Sequence, residues 1–305
     1  MITLSNGYSF ESCAGSGALA FDGLGWIWER PLVAMGLLKP ELTTIFIKTL
    51  TLAPRKGNLC WWKPWECIRL IPGGSVNKVG LTNGGIDWWC DKVAPKIDFH
   101  RYDVAGSIYG TKEELIKMAK RLNDYPFVAL EVNPSCPNTC HGLSTAETVI
   151  DMIEAVVEVS CHPVIVKVSA AQDYLAIARG LKGIAEAISI NSVPWEMVFP
   201  GVRSPLWRLE KKVGGGGGGV SGRPAQHDNW LAVEALAKLG ALPVIAPGVM
   251  DYDDIKTVEK LGAKAFSFGA IHLADYPVWL KPWSVFTNPC KPTRFIQRRN
   301  REKGK

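Results

Sequence analysis

Eight times along this 305-residue chain a short apolar run is followed by polar or helix-forming sequence, and that alternation limits the fold more than any other feature. Five runs are strong: Thr44-Ile45-Phe46-Ile47-Lys48, then 127–132, 163–168, 243–246 and 264–268. Three are weaker, at 8–13, 104–108 and 186–190. Near-continuous apolarity, without in-out alternation, suits parallel strands covered on both faces. Helical patterns lie between them. Thr111-Lys112-Glu113-Glu114 reads as a capping box ahead of the stripe Leu115, Met118, Ala119, Leu122. Ser144-Thr145-Ala146-Glu147 reads as a second box, Asp228 as the cap of a helix ended by Gly240, and 253–262 as a short helix closed by Gly262. The expected fold is α/β: a single (β/α)8 barrel of TIM type. A doubly wound open sheet has the same periodicity and stays open as the alternative.

Two segments interrupt the rhythm. Residues 50–95, rich in Trp, Pro and Gly, read as a long insertion over one mouth of the barrel. Residues 191–227 contain six consecutive glycines, Gly214 to Gly219, which suit either a flexible linker or a mobile loop feeding a phosphate site. With these insertions the barrel is expected to fill 1–290. The net charge of +6 resides in the remainder: residues 291–305 carry seven basic residues and one acid. The body is therefore neutral, which argues against a nucleic-acid-binding face. The tail reads as a solvated extension or a weak docking element for an anionic surface. No secretory signal is visible and no run reaches the ~18 apolar residues of a membrane span, so a cytoplasmic protein is expected. The eight scattered cysteines then read as reduced thiols. Seven of the twelve tryptophans (Trp26, Trp28, Trp61, Trp62, Trp65, Trp88, Trp89) fall in the first third, as amphipathic packing or, slightly favoured, a subunit interface.

In a barrel the site forms at the C-terminal ends of the strands. Collected there are Lys48-Thr49, the segment 133–138, Lys167, Asn191-Ser192 and Gly269, with 77–83 added from the first insertion. This mouth holds two lysines, several asparagines and a cysteine, and no pair of carboxylates. Asparagine donates and accepts together, which suits a planar ligand with alternating carbonyl and N–H groups. Lysines suit a carboxylate or an electron-rich ring. A metal is poorly supported: Cys136-x3-Cys140-His141 is one local triplet without a second ligand pair. Cys136, between two prolines, is a candidate base or nucleophile, although a lone cysteine is more often a small buried apolar group.

Asn133-Pro134-Ser135-Cys136-Pro137-Asn138 resembles the Asn-x-Ser-Cys-Pro-Asn segment of the dihydroorotate dehydrogenases. Further pieces agree in order: Gly15-Ser16-Gly17, Lys48-Thr49, Asn77-x-x-Gly80-Leu81-x-Asn83, Lys167, Asn191-Ser192 and Gly219-Val220-Ser221-Gly222. The likeness runs from about Gly15 to Gly269. It implies a barrel that binds FMN and oxidises dihydroorotate to orotate in pyrimidine synthesis. It implies that Lys48, Asn77, Asn133, Asn138, Asn191 and Ser192 surround the pyrimidine, assisted by the backbone of Val79, Gly80 and Leu81. Gly15, Ser16, Gly17, Lys48, Thr49, Asn133 and Lys167 would hold the flavin, and Gly222, Gly248 and Gly269 its phosphate. Cys136 would be the base, as in the soluble class 1 branch, with Lys48 beside it in the catalytic set. A homodimer is implied, and NAD use would need an electron-transfer subunit, since the chain has no iron–sulfur cysteine array. The chain departs from the family in having Gly248-Val249 for two adjacent glycines and Gly269-Ala270 for Gly-Thr. A flavin-dependent reductase of another dihydropyrimidine and a non-catalytic flavin-binding scaffold are the alternatives.

Overall fold

A computed structural model describes residues 1–134 and 145–274. Eight parallel strands close into a barrel in sequence order: β1 Ser12–Ala14, β2 Thr44–Phe46, β3 Val104–Ile108, β4 Leu130–Val132, β5 Val164–Val168, β6 Ala187–Ile190, β7 Val244–Ala246 and β8 Ala265–Phe268. The seam pairs Phe266 with Ser12 and Phe268 with Ala14. Closure decides between the two folds that periodicity left open: the barrel is found and the open sheet is not.

Side-chain alternation within these short strands builds the interior in layers. One parity (Ile45, Val104, Leu130, Val132, Val166, Ile188) packs outward against the helices. The other (Phe46, Ala105, Ala129, Ile165, Ala187, Ile245, Ala265) faces inward and forms a second core with Cys13. The N-terminal hairpin, Ile2–Thr3 paired with Ser9–Phe10, adds Ile2, Leu4, Tyr8 and Phe10 to that core. The expected strand at 8–13 is thus divided, its first part in the hairpin and only its last part in the barrel. Two residues further along each inward row the chemistry changes to Lys48, Ser107, Glu131, Lys167, Ser189 and Ser267. Apolar residues fill the bottom of the barrel and polar ones its upper interior.

Helix ends are set largely by local chemistry. Thr111 and Glu114 form the expected capping box on Lys112–Leu122, whose buried face is Leu115, Met118, Ala119 and Leu122. At the second box the cap is Thr145, which accepts from Thr148 N at the start of Ala146–Val157, so Glu147 does not close a box. Ser144 lies outside the described residues. Asp228 is not a cap: the helix begins at Arg223, with Gly222 as N-cap and Pro224 in its first turn. Gly240 ends it in the left-handed conformation, φ 65°. Asp251 caps Tyr252–Lys260 with its own box.

The two insertions join each other. The hairpin Ile68–Ile71/Gly74–Asn77 pairs with Gly219–Gly222, which pairs in turn with Val193–Pro194, giving a four-stranded antiparallel sheet. The glycine run is accordingly neither a free linker nor a loose loop along its whole length. Trp195 N donates to Gly218 O, Gly217 N to Glu196 Oε1, Lys78 Nζ to Gly216 O and Ser204 Oγ to Gly217 O. A Cβ on Gly217 would lie 2.8 Å from Ser204 and Trp195 side-chain atoms, so close packing requires glycine there.

Candidate active site

One cavity of about 300 Å³ opens at the C-terminal ends of the strands. It gathers every described residue expected at the site. Gly15, Ser16 and Gly17 come from the turn after β1, Lys48 and Thr49 from the extension of β2, and Asn133 from the end of β4. Lys167 lies within β5, and Asn191 and Ser192 follow β6. The antiparallel sheet and its turn supply Asn77, Val79, Gly80, Leu81 and Gly222, and the turns after β7 and β8 supply Gly248 and Gly269. Cys136 and Asn138 lie outside the described residues, as do Cys140, His141 and the 291–305 tail.

Beneath the cavity Ser107, Lys167 and Ser189 of the polar layer converge on Glu131. Lys167 Nζ donates to Ser16 Oγ at 2.8 Å and stands 3.4 Å from Glu131 Oε1. Ser107 Oγ donates to the same carboxylate oxygen at 2.9 Å and Ser189 Oγ to the other at 3.1 Å. Thr49 Oγ1 lies 2.9 Å from Ser107 Oγ and links the network to the cavity wall. Glu131 is 3 % exposed and Lys167 7 %, so each charge depends on the other and on these hydroxyls. Below them, burial and then the Glu131 charge push the Cys13 thiol far above the thiol range, with Lys167 opposing in part. Cys13 is a packing residue.

The wall carries paired amide donors and acceptors. Asn191 Nδ2 donates to Asn133 Oδ1 at 3.4 Å, and Asn191 Oδ1 accepts from Ser192 N at 2.9 Å. Asn77 Nδ2 reaches Gly219 O at 3.5 Å across the sheet. Lys48 Nζ sits 5.7 Å from the centre of the Phe21 ring. Two non-glycine residues adopt left-handed backbone here, Ala20 (φ 59°) and Leu81 (φ 58°). Each has a fixed carbonyl, Ala20 O accepting from Lys48 N and Leu81 O from Asn83 Nδ2. Strain of this kind persists where neighbours over-determine it, and it gathers at functional sites.

The mouth is aromatic. Trp26 stacks on Trp28 at 6.0 Å between ring centres and meets Trp61 at 5.5 Å, and all three line the cavity. Trp89 behaves oppositely, fully buried against Tyr125 and Phe127. The tryptophans of the first third therefore divide between core packing and an exposed rim.

Three features escaped sequence reading. Glu131 is an acid inside the apolar run 127–132, and that anomaly was its signal. Asn229 lines the cavity from Arg223–Leu239, where it interrupts the buried stripe Ala225, Ala232, Val233, Leu236. The rim tryptophans carried compositional weight but no sign of their place. Among the described residues the lining contains no Asp, Glu, His or Cys, so its titratable groups are the two lysines. No described cluster of His, Cys, Asp and Glu could hold a metal, and no described helix is long and apolar enough to cross a membrane.

A cavity with buried lysines, paired asparagines and a glycine-lined end suits a planar anion-bearing ligand. A chain of the Amycolatopsis orientalis BexX/CysO complex shares the fold, with a TM-score of 0.52 at 15 % identity over 93 % of this chain and 91 % of that one. The catalytic subunit of dihydroorotate dehydrogenase B (NAD(+)) from Cutibacterium acnes is 30 % identical over 245 residues, 77 % of this chain and 76 % of the relative. Its counterpart from Desulforamulus reducens is 31 % identical over 245 residues, 77 % of each chain. The family model of dihydroorotate dehydrogenase matches residues 33–281, most of the barrel. The chain belongs to the dihydroorotate dehydrogenase family of oxidoreductases.

Proposed function

We propose that this protein binds FMN in the cavity and oxidises dihydroorotate to orotate. The observation that carries this reading is the convergence of all sixteen described site residues on one cavity, with lysines as its sole titratable lining among the described residues. The residues fit the cofactor. Gly222, Gly248 and Gly269 leave a wall without side chains, as an approaching phosphate requires. Lys167 and Ser16 offer fixed donors to a flavin ring, and Lys48 a cation where ring and substrate would meet.

The reaction removes a proton from the carbon beside a carbonyl and a hydride from the next carbon, leaving a double bond between them. FMN, when bound, supplies the hydride acceptor at N5. The protein supplies the rest. Asn133, Asn191 and Asn77 present paired donors and acceptors that fix the ring in its plane. Lys48 offsets negative charge on the substrate. Lys167, held by Glu131 and Ser16, would offer a fixed positive charge to a bound flavin. The proton must go to a group outside the described lining, and Cys136 in the Asn133-to-Asn138 motif is the base on this reading. A thiol near its ordinary value of ~8.5 supplies enough thiolate for that work. No described cysteine lines the cavity, which supports assigning the role to Cys136.

The relatives' names, catalytic subunits of an NAD(+)-linked enzyme, support an electron-transfer partner; that the barrel pairs as a homodimer is proposed from the family resemblance alone. Anaerobic addition of dihydroorotate to the yellow protein should bleach the flavin absorbance. Absence of bleaching would sink the proposal, and bleaching by another dihydropyrimidine alone would shift it to that substrate. Cys136→Ala should abolish most of the bleaching with FMN still bound. Fumarate, a quinone, and NAD with and without the partner then identify the acceptor by restoring the colour.

A further inference from the structure

Asn229 is 3 % exposed, yet its Oδ1 has no hydrogen-bond partner, and its Nδ2 forms no bond to a described residue. Such carboxamides are rare in folded proteins because the lost hydration is not replaced. The unpaired group stands on the cavity wall beside Pro247 and Gly248. Its helix holds that turn tightly from both sides of Asn229, with Gln226 Nε2 donating to Gly248 O and Trp230 Nε1 to Pro247 O. Asn229 is therefore presented against a fixed backbone.

Among the described residues, this end of the cavity is built mainly of glycine and alanine, with the hydroxyls of Ser221 and Ser267 as its nearest other polar side chains in the lining. Gly222, Gly248, Gly269 and Ala270 meet there: a Cβ on Gly222 would lie 3.3 Å from that of Ala270, and one on Gly248 4.0 Å from Gly222 O. The lining's two lysines come from β2 and β5, each two strands away from the turns after β8 and β7 that form this end. Among the described lining residues, the turns that form this end offer an anion backbone N–H groups and no lysine or arginine side chain. A carboxamide whose NH₂ bonds no described residue adds a buried side-chain donor with two N–H groups, and rotation of the amide selects which of its ends faces the ligand.

We propose that Asn229 is a binding residue for the phosphate of the flavin, recognising its charge and oxygen acceptors where the chain has Ala270 and a single Gly248. The inference rests on the FMN reading above and deepens it. It predicts a residue kept for binding at the expense of the empty protein's stability.

Flavin-free protein is titrated with FMN and with riboflavin, which lacks the phosphate, following quenching of flavin fluorescence, in wild type and in Asn229→Leu and Asn229→Asp. Both variants should bind FMN at least about tenfold more weakly with riboflavin affinity unchanged, and Asn229→Asp should lose more, because a carboxylate repels phosphate. Flavin-free Asn229→Leu should melt higher than wild type, since the unpaired amide is gone. Equal losses for both flavins, or no loss for either, would overturn the assignment. If Asn229→Leu does not fold, Asn229→Asp decides alone by the same ratio. Wild-type protein that binds neither flavin would refute the FMN reading instead, which keeps the two failures apart.

Discussion

The floor and the rim of the cavity are built on opposite principles. The floor is polar, buried and bonded at every turn: the Glu131 carboxylate takes two hydroxyls and a lysine, and that lysine also reaches Ser16. The rim is aromatic and half open. Trp28 is 41 % exposed and Trp61 53 %, and they are held by ring contacts rather than by a hydrogen-bond network. Position at the floor is over-determined, so charges stay where chemistry needs them. At the rim it is loosely set, which suits a surface that admits and releases ligands. Damage to the floor should therefore appear first as lost stability, and damage to the rim as altered ligand exchange.

The largest effect is expected from breaking the floor's ion pair on one side. Lys167→Met leaves Glu131 buried with hydroxyl donors alone and should cost about 3–5 kcal/mol in urea unfolding. The double variant with Glu131→Leu removes both charges and should recover most of that loss. A double variant as unstable as the single one would show that packing, not charge pairing, makes the floor rigid. Next comes Gly222→Ala. Gly222 has φ 89° and ψ −159°, a region open to glycine alone, and an added Cβ would sit 2.6 Å from Gly73 O. Backbone strain of this type costs about 1–3 kcal/mol, to be read by thermal unfolding, and weaker binding of FMN should accompany it.

The same contrast explains what the sequence made legible. Five barrel strands stood out as near-continuous apolar runs, the mark that burial on both faces leaves, while the three weaker runs gave less signal and 8–13 was placed only in its last residues. The mouth residues followed from strand ends and from ordered motifs. The hairpin Ile68–Ile71/Gly74–Asn77 was read as loop, although Pro72-Gly73 is a turn signal, because Arg69 and Leu70 face solvent and break the apolar pattern. Its partner Gly219–Gly222 has little strand propensity beyond Val220. It is a strand because Gly74–Asn77 lies in register with it, a long-range contact no local window contains. The start of Arg223–Leu239 was misplaced for a related reason: a positive-φ glycine begins it, and Asp228 imitated a cap one turn too late.

Cysteine chemistry tests the first insertion, through Cys67, and the barrel interior, through Cys13, more gently. Burial raises the Cys67 thiol to about 11, with the Lys48 cation opposing in part. A thiol whose folded value is raised favours the folded state below its unfolded value near 9. That stabilisation fades as pH rises from about 9 to about 11, so melting temperature should decline over this window. Cys67→Ser should flatten part of the decline. Iodoacetamide at pH 8, with labelled peptides mapped by mass spectrometry, should modify the exposed Cys161 and spare Cys13 and Cys67. Rapid labelling of Cys13 would mean that the barrel interior opens easily, contrary to the rigidity inferred for it.

The smallest stability effect belongs to the rim. Trp61 is half exposed and touches Trp26 alone among aromatic partners described, so Trp61→Ala should change unfolding free energy by no more than about 1 kcal/mol. Trp26 is different in kind. Its indole N–H donates to Gly17 O, its backbone N–H to Glu29 Oε2, and the other Glu29 oxygen lies 2.6 Å from His272 Nδ1 in the helix after β8. Trp26 thus ties the rim to the turn after β1 and, through Glu29, to the segment after β8. Trp26→Phe keeps an aromatic ring but loses the bond to Gly17, the first of the cavity-lining turns. It should cost more than Trp61→Ala in urea and speed flavin release in stopped-flow dilution, whereas Trp61→Ala should change release with little change in stability. Equal costs for the two would mean that the rim is one aromatic unit, with no separate anchor to the floor.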